Sequence, residues 1–329
     1  MASGALLIAV AFMVLTTPGA PTTAAPLELE AKIPLGMVSG RIDHLAVDLK
    51  RRRLTIAEFG DGALGVVDLA KGKIQSTMLG FKQPQGIAYE PLTDTFYVAS
   101  AGDGSVRILR AEDLTSMGRI EIGDDADNVR VDGSTGRVLV GYGRGAIGII
   151  DPRSRAKVAE VRLNAHPEGF QIDEGSSRAF VNAPDAQQIA VVDLLKSETV
   201  ATWSIRDHRE NFPMALDREA HRVLVGFRNP ARLSVMNSTD GSPVADVDMC
   251  RDADDLFVDA KRQRVYVSCG EGLIDVFEDQ AGTYKRIAQI PTASGARTSL
   301  FVREMDRLFV AVPAAGKEQA AIWAFYPVP

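Results

Sequence analysis

The chain repeats one polarity pattern from about residue 45 to its end. A polar turn, usually closed by arginine, is followed by a four-residue apolar string: Leu54-Thr-Ile-Ala, Phe96-Tyr-Val-Ala, Val138-Leu-Val-Gly, Ala179-Phe-Val-Asn, Val223-Leu-Val-Gly, Val265-Tyr-Val-Ser and Leu308-Phe-Val-Ala. Successive starts lie 42, 42, 41, 44, 42 and 43 residues apart. A strand ahead of each string ends at Asp48, Glu90, Asp132, Asp173, Asp217, Asp259 and Arg303, and a third strand follows, as in Leu64-Gly-Val-Val-Asp and Ile189-Ala-Val-Val-Asp. A fourth, such as Lys157-Val-Ala-Glu-Val-Arg-Leu or Thr199-Val-Ala-Thr-Trp-Ser-Ile, closes six of the units. No useful stretch keeps a helical period. Four short β-rich strands joined by Gly, Asp, Ser and Pro turns, repeated near 42 residues, predict an all-β propeller with four antiparallel strands per blade. Seven starts predict seven blades.

The seventh unit stops at the chain end after its third strand, Ala321-Ile-Trp-Ala-Phe. Its missing strand is supplied at the other end by residues 27–35, LELEAKIPL, which fit the fourth-strand pattern. Pairing the ends closes the ring and removes two sheet edges that would template aggregation. The expectation is one domain over residues 26–329, acting as a monomer.

Ahead of it, residues 5–15 (ALLIAVAFMVL) form an apolar run of 11. As helix this spans about 16 Å, half a bilayer core. Small residues up to Ala24 and Ala25 follow, so residues 1–25 are expected to be a signal peptide and the protein periplasmic or secreted. No Lys or Arg precedes the run, which departs from the usual leader. No other apolar run is long enough to cross a membrane.

The strings Tyr97-Val-Ala-Ser and Val265-Tyr-Val-Ser-Cys, the Val-Val-Asp third strands and the 42-residue period resemble the YVTN-repeat, YncE-like family of secreted seven-bladed propellers. The resemblance implies the fold and says little of activity, because fold does not dictate function. Composition adds exclusions. With 37 Lys+Arg against 43 Asp+Glu the formal charge is −6, which with the export signal argues against nucleic acid as a partner. Two cysteines exclude a disulfide-dense scaffold, a Cys-based zinc ribbon and an iron–sulfur cluster.

A repeat supplies its own control, since a residue present in most blades serves the scaffold and one that breaks the pattern is a candidate for function. The position before the second strand reads Arg53, Thr95, Arg137, Arg178, Arg222, Arg264 and Arg307, a scaffold column. The acids ending the first strands are expected to hold the turn that follows. First-to-second turns also carry Lys50, Arg51, Arg52, Arg218, Lys261 and Arg262, predicting a basic rim.

On the opposite rim the copies diverge. Five residues before the first-strand acid stand Asp43, Gln85, Asp127, Glu168, Phe212, Asp254 and Thr298; one residue later come His44, Gly86, Asn128, Gly169, Pro213, Asp255 and Ser299. First strands are innermost in a propeller, so these side chains should ring the channel mouth, joined by His166, Asn211 and Arg297. Two readings stand: strand-entry Asp and Asn capping backbone N–H groups, or a site for a small-molecule or protein partner. Oxygen-rich groups suit Ca²⁺ or Mg²⁺, and histidine would admit Zn²⁺ or Mn²⁺. Crowded carboxylates raise one another's pKa, which suits acid–base work.

Three motifs complete the reading. Gly143-Arg-Gly-Ala-Ile-Gly148 has dinucleotide spacing but precedes a strand where that motif needs a helix, so a hairpin is expected. Cys250 and Cys269 border the sixth blade on the mouth rim, and a disulfide is expected in an oxidising compartment. His166-Pro-Glu168 could aim two side chains at one ligand if the segment is a strand. The leading expectation is a binding or scaffold protein engaging its ligand at an acidic mouth. The alternative is an enzyme: gluconolactonase-like hydrolases and virginiamycin B lyase-like proteins are propellers holding a divalent metal in a comparable mouth. By that resemblance Glu168, Asn128, Asn211 and Asp254 would be the ligands and His166 the base, although the chain lacks clear copies of those families' motifs.

Overall fold

The computed structural model describes Met1 and residues 24–329; the expected leader lies almost wholly outside the described residues. The described chain forms seven four-stranded antiparallel sheets and two one-turn 3₁₀ helices, Pro184–Ala186 and Arg303–Met305. Blades 1 to 6 run in sequence order over residues 45–79, 84–121, 129–162, 170–204, 209–248 and 253–291. Blade 7 takes three strands from residues 299–327 and its outer strand, Leu27–Gly36, from the opposite end of the chain. Leu27 pairs with Pro327 and Ile33 with Ile322, so the expected closure is the observed one.

First strands form the innermost layer. Those of neighbouring blades pack against each other, and Ser299–Val302 of blade 7 meets Leu45–Asp48 of blade 1. Two glycines of the divergent column are explained by this crowding. A β-carbon on Gly86 would strike the Asp127 carbonyl oxygen, and one on Gly169 the Phe212 carbonyl oxygen, each in the next blade. Second and third strands are buried on both faces and fill the space between sheets with Tyr97, Phe180, Phe227, Tyr266 and Phe277, each at most 1% exposed.

The outer strands of blades 1 to 6 each carry one extra residue against their partners and that of blade 7 carries two, bulges that the polarity pattern did not reveal. The extra residue is Val158, Val200, Val244 and Ile287 in blades 3 to 6, and these are among the exposed large apolar side chains. A bulge twists an edge strand out of the flat geometry that recruits another strand, so each blade is protected at its rim.

The acids ending the first strands do hold their turns. Asp48, Glu90, Asp132, Asp173 and Asp217 accept hydrogen bonds from backbone N–H groups two or three residues on, whereas Asp259 receives Arg262 and the Tyr266 hydroxyl. The arginines of the same rim stitch neighbouring blades. Arg53 donates to the Ala111 and Glu112 carbonyls of blade 2, Arg51 to Asp94, Arg222 to Asp279 and Tyr284 of blade 6, and Arg262 to Asp306 of blade 7. Arg264 donates to the carbonyls of Val328 and Pro26, clasping both chain ends. Much of the rim's positive charge is thus spent inside the scaffold.

Candidate ligand-binding site

Most residues of the divergent columns line one cavity of about 150 Å³ at the axial mouth. All seven blades reach it, through Asp43 and His44, Gln85, Asp127 and Asn128, Glu168, Phe212, Asp254 and Asp255, and Arg297. Their position follows from topology: each is at or just before an innermost strand, and those strands start on this rim.

Two expected members lie elsewhere. Asn211 is 1% exposed and turned into the sheet, where its Nδ2 donates to Asn182 Oδ1 at 3.0 Å and to the Gln188 carbonyl at 3.3 Å. It is a structural amide between blades 4 and 5. His166 sits in the adjoining groove, its Nδ1 2.6 Å from the Gly143 carbonyl oxygen and 3.7 Å from Asp125. Glu168 is shared by both depressions. The expected His166–Glu168 alignment required a strand, but the blade 4 strand starts only at Phe170.

Three arginines that the sequence reading passed over supply the positive side: Arg41, Arg130 and Arg228. One signal was available. Three residues past the first divergent column the repeat reads Ala46, Ala88, Arg130, Gln171, Ala215, Phe257 and Phe301, so Arg130 places a charge where other blades keep mostly small or aromatic residues.

Several of these charges are already neutralised. Arg41 Nη2 lies 2.5 Å from Asp43 Oδ2 and 2.6 Å from Gln85 Oε1. Arg228, stacked 4.3 Å over the Phe212 ring, donates to Asp254 Oδ1 at 2.5 Å, while Arg297 pairs with Asp252 at 2.7 Å and approaches Asp254 at 3.3 Å. Asp255 Oδ2 accepts the Ser299 N–H at 2.7 Å, the capping role weighed for the whole ring and realised at this member.

The groups left over are Asp127, Asn128, Arg130 and Glu168, all on blades 3 and 4. The closest charged partner of Asp127 among the described residues is His44, 3.9 Å away. Burial and the arginines hold His44 down at about 4, so it is neutral near pH 7 and gives Asp127 no counter-charge. Burial, followed by repulsion from Asp43 and Glu168, pushes the Asp127 carboxyl well up. Glu168 is raised to about 7, first by burial and then by Asp254, against the pull of His166. Asn128 lies against His44, yet its Oδ1, in a residue only 4% exposed, has no partner with hydrogen-bond geometry. Leaving such an oxygen dry costs about 1–3 kcal/mol. Arg130 donates to the Val129 carbonyl at 3.0 Å and forms no ion pair within 4 Å among the described residues.

Of the four candidate metal ligands, Asn211 faces away and Asp254 is held between two guanidinium groups. No group of three His, Cys, Asp or Glu side chains among the described residues is spaced to hold a metal.

Cys250 and Cys269 form the expected disulfide, Cα atoms 5.9 Å apart. No helix among the described residues is long and apolar enough to cross a membrane.

Fold and site define a seven-bladed β-propeller with a polar axial pocket. No protein-family model matches the chain, and no curated protein matches it. Solved structures do. A chain titled Kuenenia stuttgartiensis hydrazine synthase is 14% identical and superposes with a TM-score of 0.74, covering 89% of this chain and 96% of that one. A chain from the crystal structure of the mitotic checkpoint complex is also 14% identical, with a TM-score of 0.77, covering 98% of this chain and 100% of that one. At that identity the likeness is one of fold.

Proposed function

We propose that this protein is an exported binding protein of the YVTN-repeat propeller type, taking a small polar ligand in the pocket at the mouth of its channel. The observation that carries the reading is the buried Asn128 Oδ1, without a partner of hydrogen-bond geometry, and the unpaired Asp127 and Glu168 carboxyls in the lining of one cavity. Buried polar groups are nearly always satisfied by protein or water, so a cluster of unsatisfied ones marks a place prepared for something else. A cavity of this size suits a molecule of about six to ten non-hydrogen atoms. Export is supported by the apolar run near the N-terminus and by the disulfide, which persists in oxidising compartments.

A thermal-shift screen of amines, polyols, amino acids and short organic acids tests the reading. A ligand at a hundredfold its Kd should raise Tm by about 4 °C, and Asn128→Ala should remove the shift. If no solute shifts the wild-type protein, or if Asn128→Ala leaves every shift intact, the pocket is not the binding site. Mass spectrometry of protein recovered from the culture medium or periplasm, showing a cut near residue 25, tests export.

A further inference from the structure

The pocket sets a guanidinium that no carboxylate neutralises opposite two carboxyls that burial and repulsion from other acids keep from ionising until a counter-charge arrives, and this narrows the ligand. Arg41, Arg228 and Arg297 each have a carboxylate partner within 3 Å, so the fold can provide such partners here. Arg130 does not have one. Its guanidinium lies in the cavity wall, influenced by Asp255 and Asp127 only from beyond ion-pair distance. Asp255 is already committed to the Ser299 backbone. On the other side Asp127 and Glu168 come from adjacent blades, with Asn128 Oδ1 beside them as a third acceptor, and the nearby His44 is neutral. A buried charge is costly unless paired, and the cost falls when a ligand provides the opposite charge in place of water. A guanidinium is matched best by a carboxylate through paired N–H donors, whereas two carboxyls and an amide oxygen match the three donors of an ammonium group.

Resting on the mouth-pocket reading, we propose that the ligand is a small zwitterion, its carboxylate on Arg130 and its ammonium among Asp127, Asn128 Oδ1 and Glu168. A neutral polyol would leave Arg130 uncompensated, and a simple amine would leave it facing only water. A simple acid would add negative charge beside two carboxyls. The site therefore selects for both charges on one molecule.

Calorimetric titration of the full mature protein with glycine, β-alanine and 4-aminobutyrate, alongside butylamine, butyrate and erythritol, tests this. The expected result is that at least one zwitterion binds ten times more tightly than butylamine, butyrate and erythritol. Arg130→Gln should then weaken the zwitterion at least tenfold without weakening butylamine, from which it removes a like charge; Asp127→Asn should weaken both. Circular dichroism and Tm establish that each variant is folded, and the probe comparison on wild-type protein stands even if a variant is not. Equal or tighter binding of erythritol, butylamine or butyrate overturns the zwitterion while leaving the mouth-pocket reading in place. Failure of all three zwitterions to bind also overturns it; the broader solute screen then decides separately whether the mouth binds anything.

Discussion

Glu58 offers the sharpest test of the physical reasoning, because it is buried, titratable and not part of the mouth-pocket lining. It ends the second strand of blade 1, Arg53–Glu58, is 1% exposed, and its Oε1 has no hydrogen-bond partner. Gly65 on the neighbouring strand is what admits it, since a β-carbon there would strike the carboxyl oxygen. Burial, and then repulsion from Asp61, push its pKa from the ordinary 4.5 up to about 7. At 1.36 kcal/mol per unit this corresponds to about 3 kcal/mol, and solvent screening at the blade end brings it to about 2 kcal/mol. The sign follows from linkage. Below pH 4.5 the carboxyl is protonated in both states and costs nothing. Between 4.5 and 7 the unfolded chain ionises while the folded one keeps its proton, so stability drains away, and above 7 the loss is complete. Glu58→Gln preserves the shape and cannot ionise. In urea unfolding, the variant should match wild type near pH 4, gain progressively to pH 7, and hold a lead of about 2 kcal/mol at pH 8, or about 3 °C in Tm. A lead that is constant from pH 4 to 8, or that shrinks as pH rises, would refute the argument.

Other outcomes follow from the scaffold. Reducing the Cys250–Cys269 bridge, or replacing both cysteines by serine, opens a loop of separation 19 and should cost about 3 kcal/mol, seen as a Tm lower by about 5 °C; a thiol titration of native protein should find no free thiol. Deleting residues 27–36 uncovers the edge of Ala320–Pro327, and light scattering should show self-association in place of a monodisperse ring. Arg264→Ala removes the clasp on Pro26 and Val328, and hydrogen exchange in the Leu27–Gly36 strand should accelerate while the inner strands of blades 2 to 4 stay protected. Gly86→Ala forces a methyl group onto the Asp127 carbonyl and should cost about 1–3 kcal/mol, measured by urea unfolding.

Much of this was legible along the chain. Blade number, strand order within each blade, closure by the N-terminal strand and the turn-holding acids are local or periodic properties. A two-residue alternation and a 42-residue repeat depend on the chain's own neighbours, which is information a sequence carries openly. Most residues of the divergent columns line one cavity, because closure of the ring places equivalent positions of every blade at one end of one axis. Tertiary structure alone decided which of those residues act together. Asn211 belongs to the same loop family as Asn128, yet the bulge between Asn211 and Met214 turns it onto Asn182. Arg51, Arg53 and Arg262 read as an open basic rim until their partners, 43 or more residues away in the next blade, are in place. Arg228 is neutralised by Asp254 and Asp252, which stand at and just before the start of the next blade, whereas Arg130 meets no carboxylate within ion-pair distance among the described residues. Charge pairing across blades is set by angles and distances of a few ångströms around the axis, and no periodicity in the chain encodes these.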